Sequence, residues 1–443
     1  MAARLTIVGL GPGDAALRTI AAQRALDAAR RIILRTGIHP GIEDLLQDPR
    51  VSTCDDLYAA SASFDELYDS IATRVLEAAR VGEVVYAVPG HPLFAESTVR
   101  RILMACQNEC FEVEIVAGVS FLDVIATTTG VDPVADEIQI LDGPTIAAKS
   151  SEEPFSGGQL SIAPTRPCLI AQVYSRAIAS AVKLALARVY PDEHEVIVLR
   201  SVGVGSQERA ERCPLHELDH KEVDHLTTVW VPPLAPLAAY RSPATLHRIA
   251  AILRSPDGCP WDRKQTHETL TGAVIEEAYE VVDAIRAGEP SEIAEELGDL
   301  LLQVALHAQI AEEEGTFTIE DVYDHVNRKL IRRHPHVFGE VTAETADAVL
   351  ATWQAIKAAE RRERGEEDAS NDPFDRLPRS MPVLTRVARV LAETSSAPNA
   401  VPDPERLGDN LLLAVEAAVR AGLDPEQILE QAYRRRQVAA ATT

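Results

Sequence analysis

The apolar residues of this chain change their period once, near residue 231, and that change limits what it can fold into. Upstream, short β-rich runs (Leu5 to Leu10, Glu83 to Val88, Phe111 to Val116, Glu137 to Leu141, Leu169 to Tyr174, Glu195 to Leu199, Thr227 to Val231) alternate with helical stretches. That alternation belongs to an α/β domain. Pro232, Pro233 and Pro236 then break the pattern, and from Leu246 to about Arg364 apolar residues recur at helical period alone. A polar stretch from Arg361 to Asp372 reads as a linker into a last helical segment ending near Arg436. With 443 residues there is enough chain for more than one core. The expected fold is therefore multidomain, an N-terminal α/β domain followed by an all-α helical bundle.

Charge narrows the partners. A net charge of -25 gives no basic face to displace counterions from a nucleic-acid polymer. A small triphosphate remains compatible, because divalent cations can stand between the two sets of negative charge. No apolar run approaches the ~18 residues that span a bilayer. The N-terminus enters the strand-like Leu5 to Leu10 without the regions of a signal peptide, so a cytoplasmic location is expected. Six scattered cysteines read as reduced thiols, and Cys106 with Cys110 lacks the second pair that a zinc site needs.

The chemistry concentrates between residues 274 and 304. Apolar side chains at 274, 275, 278, 281, 282 and 285 form one helical stripe, and Ile293, Leu297, Leu300, Leu301 and Val304 form a second. Gly288 and Pro290 between them break the helix and predict a hairpin. At ~100° per residue, Glu277 and Glu280 fall about 90° and 150° from the centre of the first stripe, and Glu296 and Asp299 repeat those offsets on the second. Counted from the turn, the pairs stand at overlapping heights, roughly 13 to 18 Å and 10 to 15 Å along their helices. Four converging carboxylates repel unless neutralised, and hard oxygen ligands suit Mg²⁺ or Mn²⁺. Solvated acids on exposed helix faces are the alternative reading of the spacing alone.

Two later helices add Lys329 with Arg333 and Trp353 with Lys357, each pair i,i+4 on one face. The cations suit phosphate oxygens and the indole suits a stacked base. A weak repeat sets Glu296-Leu-Gly-Asp299 against Arg406-Leu-Gly-Asp409, where the second copy has Arg406 in place of Glu296 and no acid-rich helix before it.

These segments, together with Gly258-Cys-Pro-Trp-Asp262, Gln265-Thr-His267, Glu276-Glu-Ala-Tyr-Glu280 and the run from Lys329 to Gly339, resemble the MazG family over roughly residues 246 to 362. The resemblance implies a nucleoside triphosphate pyrophosphohydrolase that forms a homodimer. It assigns Glu277, Glu280, Glu296 and Asp299 as metal ligands and Lys329, Arg333, Trp353 and Lys357 as substrate contacts. Glu276 is the candidate for orienting the attacking water. Upstream, Val8-Gly-Leu-Gly-Pro-Gly-Asp14, Val88-Pro-Gly-His-Pro-Leu93 and Gly118-Val-Ser-Phe121 follow strands and resemble the tetrapyrrole (corrin and porphyrin) methylase family over about residues 4 to 233. That likeness implies S-adenosylmethionine held by Gly11, Pro12, Gly13, Gly90, His91 and Ser120, although His91 stands where the family's Gly-Asp-Pro form has an acid. The implied domains are 1–233 (methylase-like), 234–245 (linker), 246–364 (MazG) and 365–443 (linker and degenerate second repeat). Methyl transfer to a tetrapyrrole or other small acceptor, or nucleotide sensing without turnover, are the competing functions.

Overall fold

The computed structural model describes residues 3–107, 111–152, 162–339, 341–342, 345–363, 373–394 and 403–441. The chain forms two compact units, Met1–Thr316 and Phe317–Thr443. Two predicted features fall wholly or largely outside the described residues: the thiol Cys110, and the polar stretch from 361 to 372, of which 364–372 are not described.

The first unit opens with a parallel sheet. Its strands are β1 (Ala3–Gly9), β2 (Ile32–Leu34), β3 (Val51–Thr53), β4 (Val84–Val88) and β5 (Phe111–Val116), ordered β3-β2-β4-β1-β5. Helices α1 (Ile20–Ala28), α2 (Asp55–Ala60), α3 (Phe64–Val81) and α4 (Ser97–Cys106) supply the crossovers. Both faces are covered, as a parallel sheet requires. On one face Leu67, Ile71 and Val75 of α3 and Ile102 of α4 bury Leu5, Ile7 and Tyr86, and on the other Leu26 of α1 packs with Val8, Ile32 and Leu34.

A second lobe follows. It contains α5 (Phe121–Thr129), β6 (Gln139–Asp142), α6 (Gly143–Glu152), β7 (Cys168–Ala171), α7 (Arg176–Leu186), β8 (Glu195–Arg200), β9 (Arg209–Pro214) and β10 (Thr227–Val231). Its sheet is mixed, ordered β6-β7-β10-β8-β9, with only β6 and β7 parallel. All seven strand signals of the sequence correspond to strands. Three strands had no signal: β2 and β3 are three residues long, and β9 is a polar edge paired with β8 alone.

Strands end at Val231, where the apolar period changes. Three helices complete this unit: α8 (Pro243–Arg254), α9 (Thr271–Ala287) and α10 (Pro290–Glu314). Gly288 stops α9 at φ 79°, and Pro290 opens α10 at its first turn. Ala250 of α8 joins Leu270 and Ala305, Leu306 and Ile310 of α10 in their core. The expected stripes are buried only in part. Val281 is covered, whereas Ile275, Val282, Ile285, Leu297, Leu301 and Val304 are exposed within the single chain. No helix among the described residues is long and apolar enough to cross a membrane.

The second unit contains α11 (Ile319–Arg333), α12 (Pro335–Phe338), α13 (Ala346–Glu363), α14 (Val383–Thr394), α15 (Pro404–Arg420) and α16 (Pro425–Ala441). Phe374, Val383, Val387, Val390 and Tyr433 form its small core. The repeat unit beginning at Arg406 is helical, on α15, with Leu407 and Leu411 exposed.

Three glycines bring the ends of β1, β4 and β5 together. A Cβ on Gly118 would stand 2.4 Å from the Gly90 carbonyl oxygen, and one on Gly9 2.6 Å from it. Both contacts are with backbone, which has little room to retreat. Gly118→Ala is therefore expected to destabilise the chain by about 1–3 kcal/mol or more through overpacking, read as a lowered urea midpoint at unchanged slope.

Candidate metal centre and inter-lobe cavity

The α9–α10 hairpin brings three of the predicted acids together. Glu277, Glu280 and Glu296 each offer a carboxylate oxygen within 4.8 Å of the others. Asp299 is not part of that group, yet it acts on two of its members. Burial, then the charges of Asp299 and Glu280, hold the Glu277 carboxyl above its ordinary range. Burial, then Glu280 and Asp299, do the same for Glu296. The largest influences on both are thus desolvation and like charge, which disfavour ionisation. Glu276 lies on the exposed side of α9 and outside the cluster.

Gln303 completes this setting and was missed in the sequence, where it is one amide at the edge of an apolar stripe. It is 7% exposed, and its Nε2 donates to Glu277 at 3.5 Å. Its Oε1 is buried without a partner. An orphan acceptor beside crowded carboxylates is what a hard divalent cation would satisfy, so the donor set fits Mg²⁺ or Mn²⁺.

The predicted cations lie in the second unit. Arg333 donates through Nε and Nη2 to Glu360 at 3.2 and 2.5 Å, and Arg332 reaches the same acid through Nε at 2.7 Å. Glu360 is 4% exposed, and its hydrogen bond with Arg333 is the main cause that holds its carboxyl at about 2. The Arg333 guanidinium stands 5.4 Å from the Trp353 ring centroid and the Lys357 ammonium 4.9 Å from the same ring. Trp353 therefore meets two cations, in cation–π range. Lys329 is exposed on α11. Glu360 was not singled out in the sequence because its partners are 27 and 28 residues away.

In the first unit a cavity of 520 Å³ opens between the two lobes. Pro12 and Gly90 line it; Gly11, Gly13 and His91 sit on the same two loops and Ser120 on a third, beside the lining residue Phe121, without lining it themselves. Gly11 and Gly90 exchange backbone hydrogen bonds at 3.2 and 2.7 Å, which ties the first two loops. Ser120 caps α5 in a capping box with Asp123. His91 accepts from the Leu93 amide through Nδ1 at 3.1 Å and packs edge-on against Phe94. His39, Arg35 and Glu96 line the cavity too and carried no sequence signal. His39 Nε2 contacts the Gly11 carbonyl at 2.9 Å, and burial lowers its pKa to about 4.

Comparison with known proteins agrees with this division. A tetrapyrrole (corrin/porphyrin) methylase family model matches residues 4–219, and a MazG nucleotide pyrophosphohydrolase domain model matches residues 265–338. The uncharacterized protein YabN of Bacillus subtilis is 38% identical over 393 residues, covering 88% of this chain and 77% of that protein. The nucleoside triphosphate pyrophosphohydrolase/pyrophosphatase MazG of Thermotoga maritima is 41% identical over 204 residues, 41% of this chain and 78% of its own. A uroporphyrin-III-C-methyltransferase structure from Thermus thermophilus aligns over 55% of this chain and 98% of its own, at 17% identity and a TM-score of 0.40. An acid-bearing helical hairpin behind a two-lobed α/β domain thus defines a two-part enzyme. The chain belongs to the MazG nucleotide pyrophosphohydrolase family and carries a tetrapyrrole methylase domain ahead of the MazG region.

Glu277 and Glu296 bind protons more tightly folded than unfolded, so without metal their contribution to stability falls as pH rises above the ordinary glutamate range. Thermal unfolding in chelator should show that fall, Mg²⁺ should offset it, and Glu277→Gln should flatten it. Glu360 behaves oppositely: its depressed pKa gives stability above the ordinary range that is lost as pH falls towards 2. Glu360→Gln should cost about 1–3 kcal/mol in urea unfolding at neutral pH.

Proposed function

We propose that this chain hydrolyses nucleoside triphosphates, ribo or deoxy, to the monophosphate and pyrophosphate in the presence of Mg²⁺, with Mn²⁺ as a substitute. The observation that carries the reading is the three-carboxylate group of Glu277, Glu280 and Glu296, with Asp299 raising two of them electrostatically. The name of the Thermotoga maritima relative supports the substrate class. Glu277, Glu280, Glu296 and Asp299 hold the metal in this reading. A bound divalent ion supplies Lewis acidity toward phosphoryl oxygens and a lowered pKa for water.

The protein's own groups do the rest. Gln303 fixes the Glu277 carboxylate by hydrogen bond. Glu276, outside the ligand group, orients the attacking water and accepts its proton. Lys329, Arg333 and Lys357 contact phosphate and balance its charge, with Trp353 beside them. The domains proposed are 1–233 (methylase-like), 246–364 for the hydrolysis, and 365–443 for a linker and the degenerate second repeat, with 234–245 as linker. The exposed apolar residues of α9 and α10 support a homodimer through the helical region, because a second copy would cover them.

The loops carrying Gly11, Pro12, Gly13, Gly90, His91 and Ser120 are proposed to contact S-adenosylmethionine. The fit rests on Gly90, where the left-handed φ of 66° leaves backbone facing the cavity with no side chain between.

Release of pyrophosphate and monophosphate from a nucleotide panel tests the hydrolase. The intact chain should release both only with divalent metal, and Glu296→Ala should lower the rate by about a hundredfold or more, since several kcal/mol of charge stabilisation depend on the metal. Unchanged turnover in Glu296→Ala would overturn the site. Folded protein without turnover but with metal-dependent nucleotide binding would favour a sensor.

A further inference from the structure

The Gln265-Thr-His267 segment ends at the open end of the α9–α10 hairpin, opposite the turn at Gly288, and two imidazoles meet there. His267, four residues before α9, and His307 of α10 approach through Nδ1 at 2.7 Å. Their ring planes differ by 5° while the centroids stand 5.0 Å apart, so the rings meet edge to edge. A contact this short between two ring nitrogens is a hydrogen bond, with one Nδ1 bearing a hydrogen and the other a bare lone pair. His307 is half-buried, and the His267 side chain is 37% exposed.

The ionisable groups around the pair come from α8, α10 and the segment before α9. On α10, Glu314 stands 3.9 Å from His267 Nε2. On α8, Arg254 binds Glu313 at 2.8 Å and, through Nη1, the carbonyls of Asp262 at 2.5 Å and Gln265 at 3.1 Å, which fastens the segment that carries His267. The other ionisable groups of α8 are His247, half-buried, and Arg248, exposed. In the segment itself Asp262 is buried, while Arg263, Lys264 and Glu268 are exposed. α9 carries no ionisable group before Glu276. Burial, then the charge of His267, holds His307 below its ordinary range.

The bond tolerates one added proton and no more. A first proton is accommodated at His267 Nε2, beside Glu314, and leaves the His267 Nδ1–H donating to His307. A second puts N–H against N–H and breaks the bond. The break is felt near the acids. His307 and Gln303 are i,i+4 on one face of α10, about 6 Å apart along its axis, and Gln303 donates to Glu277 of α9 at 3.5 Å. We propose that His267 and His307 are positioning residues, whose one-proton bond seats the start of α9 on α10 so that Glu277 is presented to a divalent cation, and whose second proton releases that seating and weakens metal binding. The inference rests on the reading of Glu277, Glu280 and Glu296 as the metal group. Leu270 stays buried with Leu306 and Ile310, and Arg254 keeps its carbonyls, so the segment remains docked when the bond opens and the change is one of seating.

Mn²⁺ binding to the intact chain, followed by the EPR signal of the free ion at about pH 7.5 and about pH 5, on either side of the ordinary histidine range, tests it. Acid protonates the carboxylates too, so a variant must isolate the share of the imidazoles. His307→Asn keeps an acceptor oxygen near the place of Nδ1 and removes the titrating group. Between the two pH values the unmodified chain should lose about threefold more affinity than His307→Asn, the scale of one net hydrogen bond. At the higher pH His307→Ala should bind Mn²⁺ about threefold more weakly than the unmodified chain, and His307→Asn should restore the affinity. The same pH dependence in His307→Asn as in the unmodified chain, or unchanged affinity in His307→Ala, overturns the proposal and leaves the metal reading standing. Absence of Mn²⁺ binding in the unmodified chain overturns both. Should His307→Ala fail to fold, the pH dependence of His307→Asn decides alone.

Discussion

Mutual repulsion among carboxylates governs the helical end of the first unit. Packing α9 against α10 brings Glu277, Glu280 and Glu296 within reach of one another while Asp299 adds to the field. Nothing about folding alone favours that arrangement, since each acid would be better hydrated apart. The hairpin is held instead by the core around Leu270, Leu306 and Ile310 and by the punctuation of Gly288 and Pro290. Stability supplied by apolar burial therefore sustains an electrostatic defect, which protonation relieves and which the divalent cation proposed above would relieve at neutral pH.

Much of this was legible because it is local. Helix period, a glycine stop and a proline start determine the hairpin, and i,i+3 spacing puts each acid pair on one shoulder of its helix. The same logic located seven strands of the α/β lobes. It failed where the deciding contact is distant. Glu360 matters through Arg332 and Arg333 on another helix, Gln303 through Glu277, and Arg35 through Glu96, 61 residues further on. The missed strands have a related cause: β2 and β3 are too short to show a period, and β9 is recruited by its partner β8.

The two parts of the chain handle charge in opposite ways. In the helical hairpin like charges are left unneutralised and available to a metal. Among the residues lining the inter-lobe cavity, the Arg35 guanidinium is matched by the Glu96 carboxylate, and both meet hydroxyls. A shared family fold fixes where a ligand can enter and leaves the charges on the wall to vary. The second repeat makes a similar point within the helical part. With Arg406 in the place of Glu296, α15 keeps the helix and loses the charge pattern.

The lobes that flank the cavity are also joined by Gln172, whose Nε2 donates to the Ala95 carbonyl at 2.9 Å, both residues being left-handed at φ 60° and 54°. A single neutral hydrogen bond contributes on the order of 0.5–1.5 kcal/mol net, whereas two non-glycine residues in left-handed backbone together cost on the order of 2–6 kcal/mol. The clasp between the lobes is thus weaker than the distortion it accompanies. That bond is not the sole tie, because the Asp14 amide donates to the Gly203 carbonyl at 3.0 Å and Phe64 packs 5.5 Å from Tyr174 across the same divide, so contacts elsewhere along the cleft keep the left-handed pair in place rather than their own bond.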